Sequence, residues 1–319
     1  MIILTGGAGF IGSNFLKLLN QKGYNDVIIV DNLSNTSKWK NLVGKRFKYY
    51  INKTEFLKNL DKFNFSTTEA IFHFGACSST SEQNIDYLFS NNLEYSKKLA
   101  KKAIDNNIPF IYASSAATYG NGDQGYSDNV YYDLRPLNAY GFSKHLFDLW
   151  VIEKGYDELF IGLKFFNVFG PNEYHKNEMA SMVYKAFNQV KNSGRVKLFR
   201  SYNDDFEDGE QLRDFVYIDD AVNLTWQLFE KRIKGIFNIG TGTTNTWNSL
   251  AEHVFNTLQK PVNIEYVDMP EQIKNQYQYS TKADISKLFE SGIKYDFLTF
   301  EQSIKKYINN YLNINQPYL

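Results

Sequence analysis

Cysteine is nearly absent from this 319-residue chain, which has Cys77 alone. One thiol rules out an internal disulfide framework and any multi-cysteine zinc site, and no metal site is expected. A lone cysteine fits a reducing compartment, so the expected location is the cytoplasm. Long apolar runs are missing as well. No stretch approaches the roughly 18 apolar residues that a membrane helix needs. The run after Met1 breaks at Thr5-Gly6-Gly7, too short for the core of a secretory signal. An excess of either charge is also lacking. The 35 basic side chains balance 35 acidic ones, so no global field draws the chain to nucleic acid or to an anionic membrane. What remains is a soluble globular protein without repeats or low-complexity linkers.

What the chain does have is alternation of short apolar runs with longer helical patterns. Ile2-Ile3-Leu4 reads as a buried strand, and Phe10 to Lys22 as a helix with Phe15, Leu18 and Leu19 on one face. Val27 to Val30 is a second strand and Phe47 to Tyr50 a weaker third. Ala70 to Phe74 and Pro109 to Ala113 follow, separated by a helical stretch around Tyr95 to Asp105. A further helix comes after Tyr140, then a strand over Phe160 to Phe165. Strands with little polar alternation, separated by helices, predict an α/β fold: a Rossmann doubly wound parallel sheet covered on both faces. The expected division is a dinucleotide-binding part over 1–168 and a smaller C-terminal substrate-binding α/β part over 169–319. No sharp boundary separates them, so they should pack as one body. Asn203 to Gln211, rich in Asp and Glu, reads as an exposed loop. Aromatic residues reach 17% and are expected mainly to fill the core.

Thr5-Gly6-Gly7-Ala8-Gly9-Phe10-Ile11-Gly12 follows the first strand and opens the first helix. Gly6 permits a tight turn, Gly9 lets the backbone approach a pyrophosphate, and Gly12 allows close packing of helix and strand. Unpaired N–H groups at the helix start suit the phosphates. A glycine pattern alone could be only a turn. Here the strand before it, the helix after it and Asp31 at the end of the second strand agree on dinucleotide binding. Asp31 would accept from a ribose 2′-OH and favour NAD. Lys38 and Lys53 could instead reach a 2′-phosphate, although surface lysines are mostly just solvated. Locally, NAD and NADP both stay open.

Tyr140 and Lys144 lie four residues apart, on one face of a helix. A phenol titrates near 10 and is a poor base at neutral pH. A nearby ammonium and a positive nicotinamide ring are expected to lower that value, so that tyrosine can take an alcohol proton as hydride leaves the carbon. The Tyr-x-x-x-Lys spacing arises often by chance in a chain with 23 Tyr. Its position after the fifth strand gives it weight. At the end of that strand lie Ser114 and Ser115, in the active crevice of an open α/β sheet. Ser115 can hydrogen-bond the reacting oxygen, whereas Ser114 also reads as a simple turn or cap residue.

These motifs resemble the extended short-chain dehydrogenase/reductase superfamily, which acts largely on nucleotide sugars. Within it the chain is similar to the ADP-L-glycero-D-manno-heptose 6-epimerases. The similarity rests on Val30-Asp31-Asn32-Leu33, Gly75-Ala76-Cys77-Ser78-Ser79-Thr80, Tyr112 to Gly120, and Pro136 to Gly141. It extends through Phe165 to Pro171, His175-Lys176, Met179-Ala180-Ser181, Arg213 to Tyr217 and Gln276-Tyr277-Gln278.

The resemblance implies an isomerase that inverts C6 of an ADP-linked heptose by transient hydride transfer to tightly held NADP, supplying heptose for the lipopolysaccharide core. Such inversion needs an acid/base on each side of the carbonyl. Tyr140 fills one role, with Lys144 and Ser115 beside it, and Lys176 matches the position used for the second. By itself Lys176 would be read as a surface charge. The implied cofactor contacts are Gly6, Gly9, Phe10, Ile11, Gly12, Asp31, Asn32, Lys38, Lys53, Phe74, Gly75, Ala76, Cys77, Ser78, Asn91, Tyr140, Lys144, Val168 and Lys176. NADP then becomes favoured over NAD, with Lys38 as the phosphate partner. Substrate contacts implied in the same way are Ser78, Ser115, Asn167, Glu178, Lys185, Phe199, Arg213 and Tyr277. Assembly into homo-oligomers, as pentamers, is implied too.

Three departures stand out. Phe74 replaces a Glu, Glu178 replaces a small residue, and the segment from Tyr202 to Leu212 is longer and more acidic. Among rivals, a 4,6-dehydratase needs an Asp-Glu pair after the strand-end Ser, where this chain has Ala116-Ala117. A UDP-hexose 4-epimerase shares the Ser, Tyr and Lys set but has no need of Lys176. A non-catalytic dinucleotide-binding module is the reading from another class, and it would not need an intact Ser115, Tyr140 and Lys144.

Overall fold

The computed structural model describes residues 1–274, 277–314 and 318. Gln276, part of one motif named above, lies outside them. The first half follows the expected alternation: β1 (Ile2–Thr5), α1 (Phe10–Gln21), β2 (Val27–Asp31), β3 (Tyr49–Asn52), α2 (Lys53–Lys58), β4 (Ala70–His73), α3 (Ile85–Leu88) and α4 (Tyr95–Asp105). Next come β5 (Phe110–Ser115), α5 (Ala139–Glu153) and β6 (Ile161–Phe165). The later part adds β7 (Asn167–Phe169), α6 (Met182–Ser193), β8 (Val196–Phe199), β9 (Leu212–Arg213), β10 (Phe215–Tyr217) and α7 (Ile218–Glu230). It continues with β11 (Gly235–Ile239), β12 (Asn245–Thr246), α8 (Trp247–Thr257) and β13 (Ile264–Val267).

Seven strands form one parallel sheet in the order β11-β6-β5-β4-β1-β2-β3. Its strands are buried on both faces, as their unbroken apolar runs require. Ile2 and Leu4 point into one core with Phe15 and Leu16 of α1 and Leu224 and Leu228 of α7. Ile3 points into the other, with Leu99 of α4 and Phe147 and Val151 of α5. Each such side chain, fully buried, contributes about 1.5–3 kcal/mol. The seventh strand, β11, comes from the chain's later part, so the two parts share this sheet. Three two-stranded pairs, β7 with β10, β9 with β12 and β8 with β13, complete the C-terminal layer.

The third strand starts at Tyr49 rather than Phe47, and it lies at the sheet edge with Tyr49 exposed. The helix around Tyr95 begins earlier than its apolar pattern does. It is continuous with α3 through a π-helical turn over Phe89–Glu94, which carries the buried amides of Asn91 and Asn92. The segment 203–210 is a loop, as its charges suggest, but Gln211 at its end is wholly buried. Among the described residues no helix is long and apolar enough to cross a membrane.

Strand order reverses around β1, with β2 on one side and β4 on the other, and a cleft opens there at the strand C-termini. The turn after β1 is held against the end of β4. Gly6 adopts φ +69°, and a Cβ on it would meet the Gly75 backbone at 2.7 Å. A Cβ on Gly12 would come within 2.1 Å of the Gly6 carbonyl oxygen, so α1 starts directly on its own turn. Gly9 differs: a Cβ there would meet only the Gly6 oxygen, at 3.1 Å. We predict that Gly12→Ala forces a backbone shift costing about 1–3 kcal/mol, seen as a lower Tm. Gly9→Ala should keep a Tm near wild type while weakening dinucleotide binding. Equal Tm values for the two variants would refute this division of roles.

Candidate active site

The cleft is a cavity of about 720 Å³. Its floor is the glycine turn and the N-terminus of α1, where Gly9 offers no side-chain cap and the helix N–H groups stay open toward the cleft. Asp31 ends β2 with its carboxylate already engaged. It accepts from the Ala8 N–H at 2.9 Å, the Asn32 N–H at 2.7 Å and the Lys38 ammonium at 2.5 Å. Lys53 donates to Asn91 at 2.5 Å, on the π-helical turn. This open-ended helix start on a glycine cradle fits a dinucleotide diphosphate.

The opposite wall comes from β5 and α5. Asn138 caps α5 by accepting from the Gly141 N–H at 2.8 Å, which places Tyr140 in the first turn and Lys144 one turn later. Lys144 is buried and donates to the Ala113 carbonyl at 2.8 Å. Burial brings its pKa down to about 8, with Asp148 opposing the shift. Tyr140 is buried too, and burial pushes its phenol up, while a hydrogen bond with Ser115 pulls it down. In this structure the Lys144 ammonium donates to the Ala113 carbonyl, and burial dominates the shift of the phenol. Ser115 serves twice: it bonds the phenol and also caps the short helical turn Ala116–Tyr119 by accepting from the Ala117 N–H at 3.1 Å. Ser114 does neither and donates to Asp148 at 2.6 Å. No acid follows Ser115 in the turn, so elimination chemistry has no proton donor at that place.

Lys176 lines the same cavity, half-buried, with its ammonium 5.6 Å from the Phe10 ring centroid. Burial lowers its pKa, while buried Glu173 opposes the fall. Glu173 is itself held by the Ser181 N–H at 2.5 Å and the Ser181 hydroxyl at 2.7 Å. The next residue, Asn177, takes φ +48° and ends the short turn that presents Lys176.

Gly6, Gly9, Phe10, Ile11, Gly12, Asp31, Asn32, Lys38, Lys53, Phe74 to Ser78, Asn91, Ser115, Tyr140, Lys144, Asn167, Val168 and Lys176 all line this one cavity. Phe74, where a Glu was expected, packs against Phe15 and Phe165. Five of the substrate residues lie outside the lining. Glu178 is exposed and pairs with Lys185 at 3.5 Å across the surface, and Phe199 ends β8. Arg213 and Tyr277 sit one layer behind, because Trp247 stands between. The Arg213 guanidinium lies 5.3 Å from the Trp247 ring centroid and 5.1 Å from that of Tyr277. Trp247 donates to the Tyr277 hydroxyl at 2.8 Å. Tyr277 in turn lines a second hollow of about 770 Å³, with Tyr202, Asp204, Asp205 and Lys274. Trp247 and Tyr87 were missed as cavity residues, since no local pattern marks either one. Among the described residues no cluster of His, Cys, Asp or Glu could hold a metal ion.

Residues 2–240 match the NAD dependent epimerase/dehydratase family. The chain belongs to that family. Relatives named ADP-L-glycero-D-manno-heptose-6-epimerase match it end to end. That of Fusobacterium nucleatum is 45% identical and that of Nitratidesulfovibrio vulgaris 44%, each covering all of both chains. A solved structure of the Helicobacter pylori ADP-L-glycero-D-manno-heptose-6-epimerase superposes with a TM-score of 0.83 at 29% identity, covering 97% of this chain and 95% of that one. This epimerase is therefore a nucleotide-sugar isomerase by family, with a nicotinamide cofactor.

From the geometry of this family member we predict that Tyr140→Phe and Lys176→Ala each lose at least about 10²-fold in turnover while keeping bound dinucleotide. Full activity in either variant would remove that residue from proton transfer.

Proposed function

We propose that this chain interconverts ADP-D-glycero- and ADP-L-glycero-D-manno-heptose at C6. The observation that carries the reading is Lys176. It brings a second proton-transfer group into the cleft that holds Tyr140, in a protein whose full-length relatives bear the name of this 6-epimerase. A nicotinamide dinucleotide bound on the glycine cradle supplies the hydride acceptor and donor. Inversion requires the ketone to present its other face before hydride returns, so its oxygen exchanges one proton partner for another. Tyr140, hydrogen-bonded to Ser115, holds a proton at one position of that oxygen. Lys176, its pKa lowered by burial, can take or give a proton at the other. Lys144 fixes the geometry between α5 and β5. A 4-epimerase reading leaves Lys176 without a task and is not favoured.

We read the cofactor as NADP. Three donors already hold the Asp31 carboxylate, which makes it a brace for the glycine turn rather than an open acceptor for a ribose hydroxyl. Lys38 and Lys53 donate there to Asp31 and Asn91, and their positive charges, with Asn32 beside them at that end of the cleft, suit a phosphate. A half-buried lone thiol, Cys77, accords with the cytoplasm, and a homo-oligomer, a pentamer, is the assembly we propose. Incubation with ADP-D-glycero-D-manno-heptose should give the L-glycero epimer without accumulation of free reduced nicotinamide. Recovery of only unchanged substrate would sink the assignment. Nucleotide released from purified protein should be NADP, and Lys38→Ala should shift preference toward NAD by about tenfold or more. Release of NAD alone would reverse the cofactor reading.

A further inference from the structure

We infer that Asp148 and Lys164, a fully buried ion pair behind the reacting residues, position Ser115 and Tyr140 for proton transfer. Asp148 follows Tyr140 by two turns of α5 and Lys144 by one. One carboxylate oxygen accepts from the Tyr112 hydroxyl at 3.1 Å and the other from the Ser114 hydroxyl at 2.6 Å. Between those two residues, the Ala113 carbonyl accepts from Lys144 at 2.8 Å. So α5 is pinned to β5 at three consecutive residues, and the next residue is Ser115.

Lys164 grips the far side. Its ammonium lies 3.4 Å from Asp148 and donates to the Thr118 hydroxyl at 2.9 Å, and that hydroxyl donates to the Ser115 carbonyl at 2.8 Å. The same ammonium sits 4.4 Å from the Tyr119 ring centroid. Ser115 is thus held from before through Ser114 and from after through Thr118. Neither charged residue lines the cavity, so neither touches what binds there.

A buried ion pair is a costly way to fill a core, and apolar residues of similar volume are often as stabilising or more so. The charge therefore has another use. The Asp148 carboxylate is the strongest influence opposing the fall in the Lys144 pKa. Other groups around this charge come from every neighbouring element: Tyr112 on β5, Lys164 on β6, His145 on α5, and His73 on β4 beside Lys144. Cys77 acts on Lys144, Tyr131 on Tyr112, and Asp128 and Lys287 on Lys164. Of these, only Asp148 binds both the strand and the lysine on β6 while sitting on the helix that carries Lys144.

This inference rests on Tyr140 and Lys144 being the reacting pair, and the test separates the two claims. Asp148→Asn, Lys164→Met and the double variant are compared as holoenzymes for kcat, KM, Tm and pH profile. Each single variant should lose about 10²-fold in kcat at little-changed KM, with dinucleotide retained. Without the carboxylate the Lys144 ammonium loses its proton at lower pH, so Asp148→Asn should move the alkaline limb below about 8. The double variant should regain Tm but not kcat. Recovery of kcat along with Tm overturns the proposal, since the pair would then only balance charge. Should the single variants not fold, Ser114→Ala and Thr118→Val cut the two grips without touching either charge. Each should lose kcat about tenfold, and wild-type kcat in both overturns the proposal. An active Tyr140→Phe overturns the underlying reading instead. An inactive Tyr140→Phe beside an unaltered Asp148→Asn overturns the positioning role alone.

Discussion

Every pairing in the seven-stranded sheet is parallel, and a parallel strand cannot turn straight back into its neighbour. Each connection must cross a face of the sheet, so all strands end at the same edge. The chemistry of this protein hangs from that edge. Gly6 follows β1, Asp31 ends β2, Gly75 follows β4, Ser115 ends β5 and Phe166 follows β6, and all five face one cavity. Because the strand order reverses at β1, the loops after β1 and β4 part to opposite sides and leave the cleft between them. This strand order brings residues 6 and 115, far apart in the chain, to a common space.

Holding that edge in register takes polar contacts that run along it. Thr5 accepts from the Gly75 N–H at 3.1 Å and bonds the buried ring of His73 at 2.7 Å, and the far side of that ring meets Ser96 at 2.8 Å. Ser96 donates its single hydroxyl proton to the Asn92 carbonyl at 2.6 Å, so it can only accept from the ring. His73 must therefore carry its proton on Nε2 and accept from Thr5 on Nδ1. Burial pushes its pKa down to about 3, which keeps the ring in this one neutral form. Asn92 continues the chain, bonding the Cys77 backbone and the Ser143 hydroxyl on α5 at 3.0 Å. The glycine turn and the catalytic helix are thereby linked through fully satisfied buried groups.

Much of this was legible from residue order alone. Unbroken apolar strands such as Val27 to Val30, the glycine-rich turn after Leu4, and the four-residue spacing of Tyr140 and Lys144 are local signals, and local physics sets them. Tertiary contacts are a different matter. Lys176 carries no mark that separates it from a solvated lysine, and its half-buried place depends on how its own turn folds between Glu173 and Ser181 and on Phe10 arriving from α1. Asn91 and Asn92 interrupt an apolar pattern, so the helix before Tyr95 was not visible, although those amides are what Lys53, Cys77 and Ser143 require. Trp247 lines the main cavity and meets Arg213 and Tyr277, which do not, through a cation–ring contact and a hydrogen bond that no spacing rule encodes. The phenol's upward shift was also hidden, because it comes from burial, which residue order does not show.

Burial acts in opposite directions on the two groups proposed to transfer protons, Tyr140 and Lys176, and the difference matters for an inversion. It raises the phenol of Tyr140, so that side of the cleft keeps a proton to give. It lowers the pKa of the Lys176 amine, so that side gives up its proton more easily and is more often free to take one. Two identical groups facing each other would carry no built-in preference for which of them holds the proton. A buried phenol and a half-buried amine lining one cavity supply that preference. Lys144 lines the same cavity, with one of its N–H donors held by the Ala113 carbonyl. In the proposed reaction, that asymmetry between Tyr140 and Lys176 lets one cleft serve both faces of the same ketone.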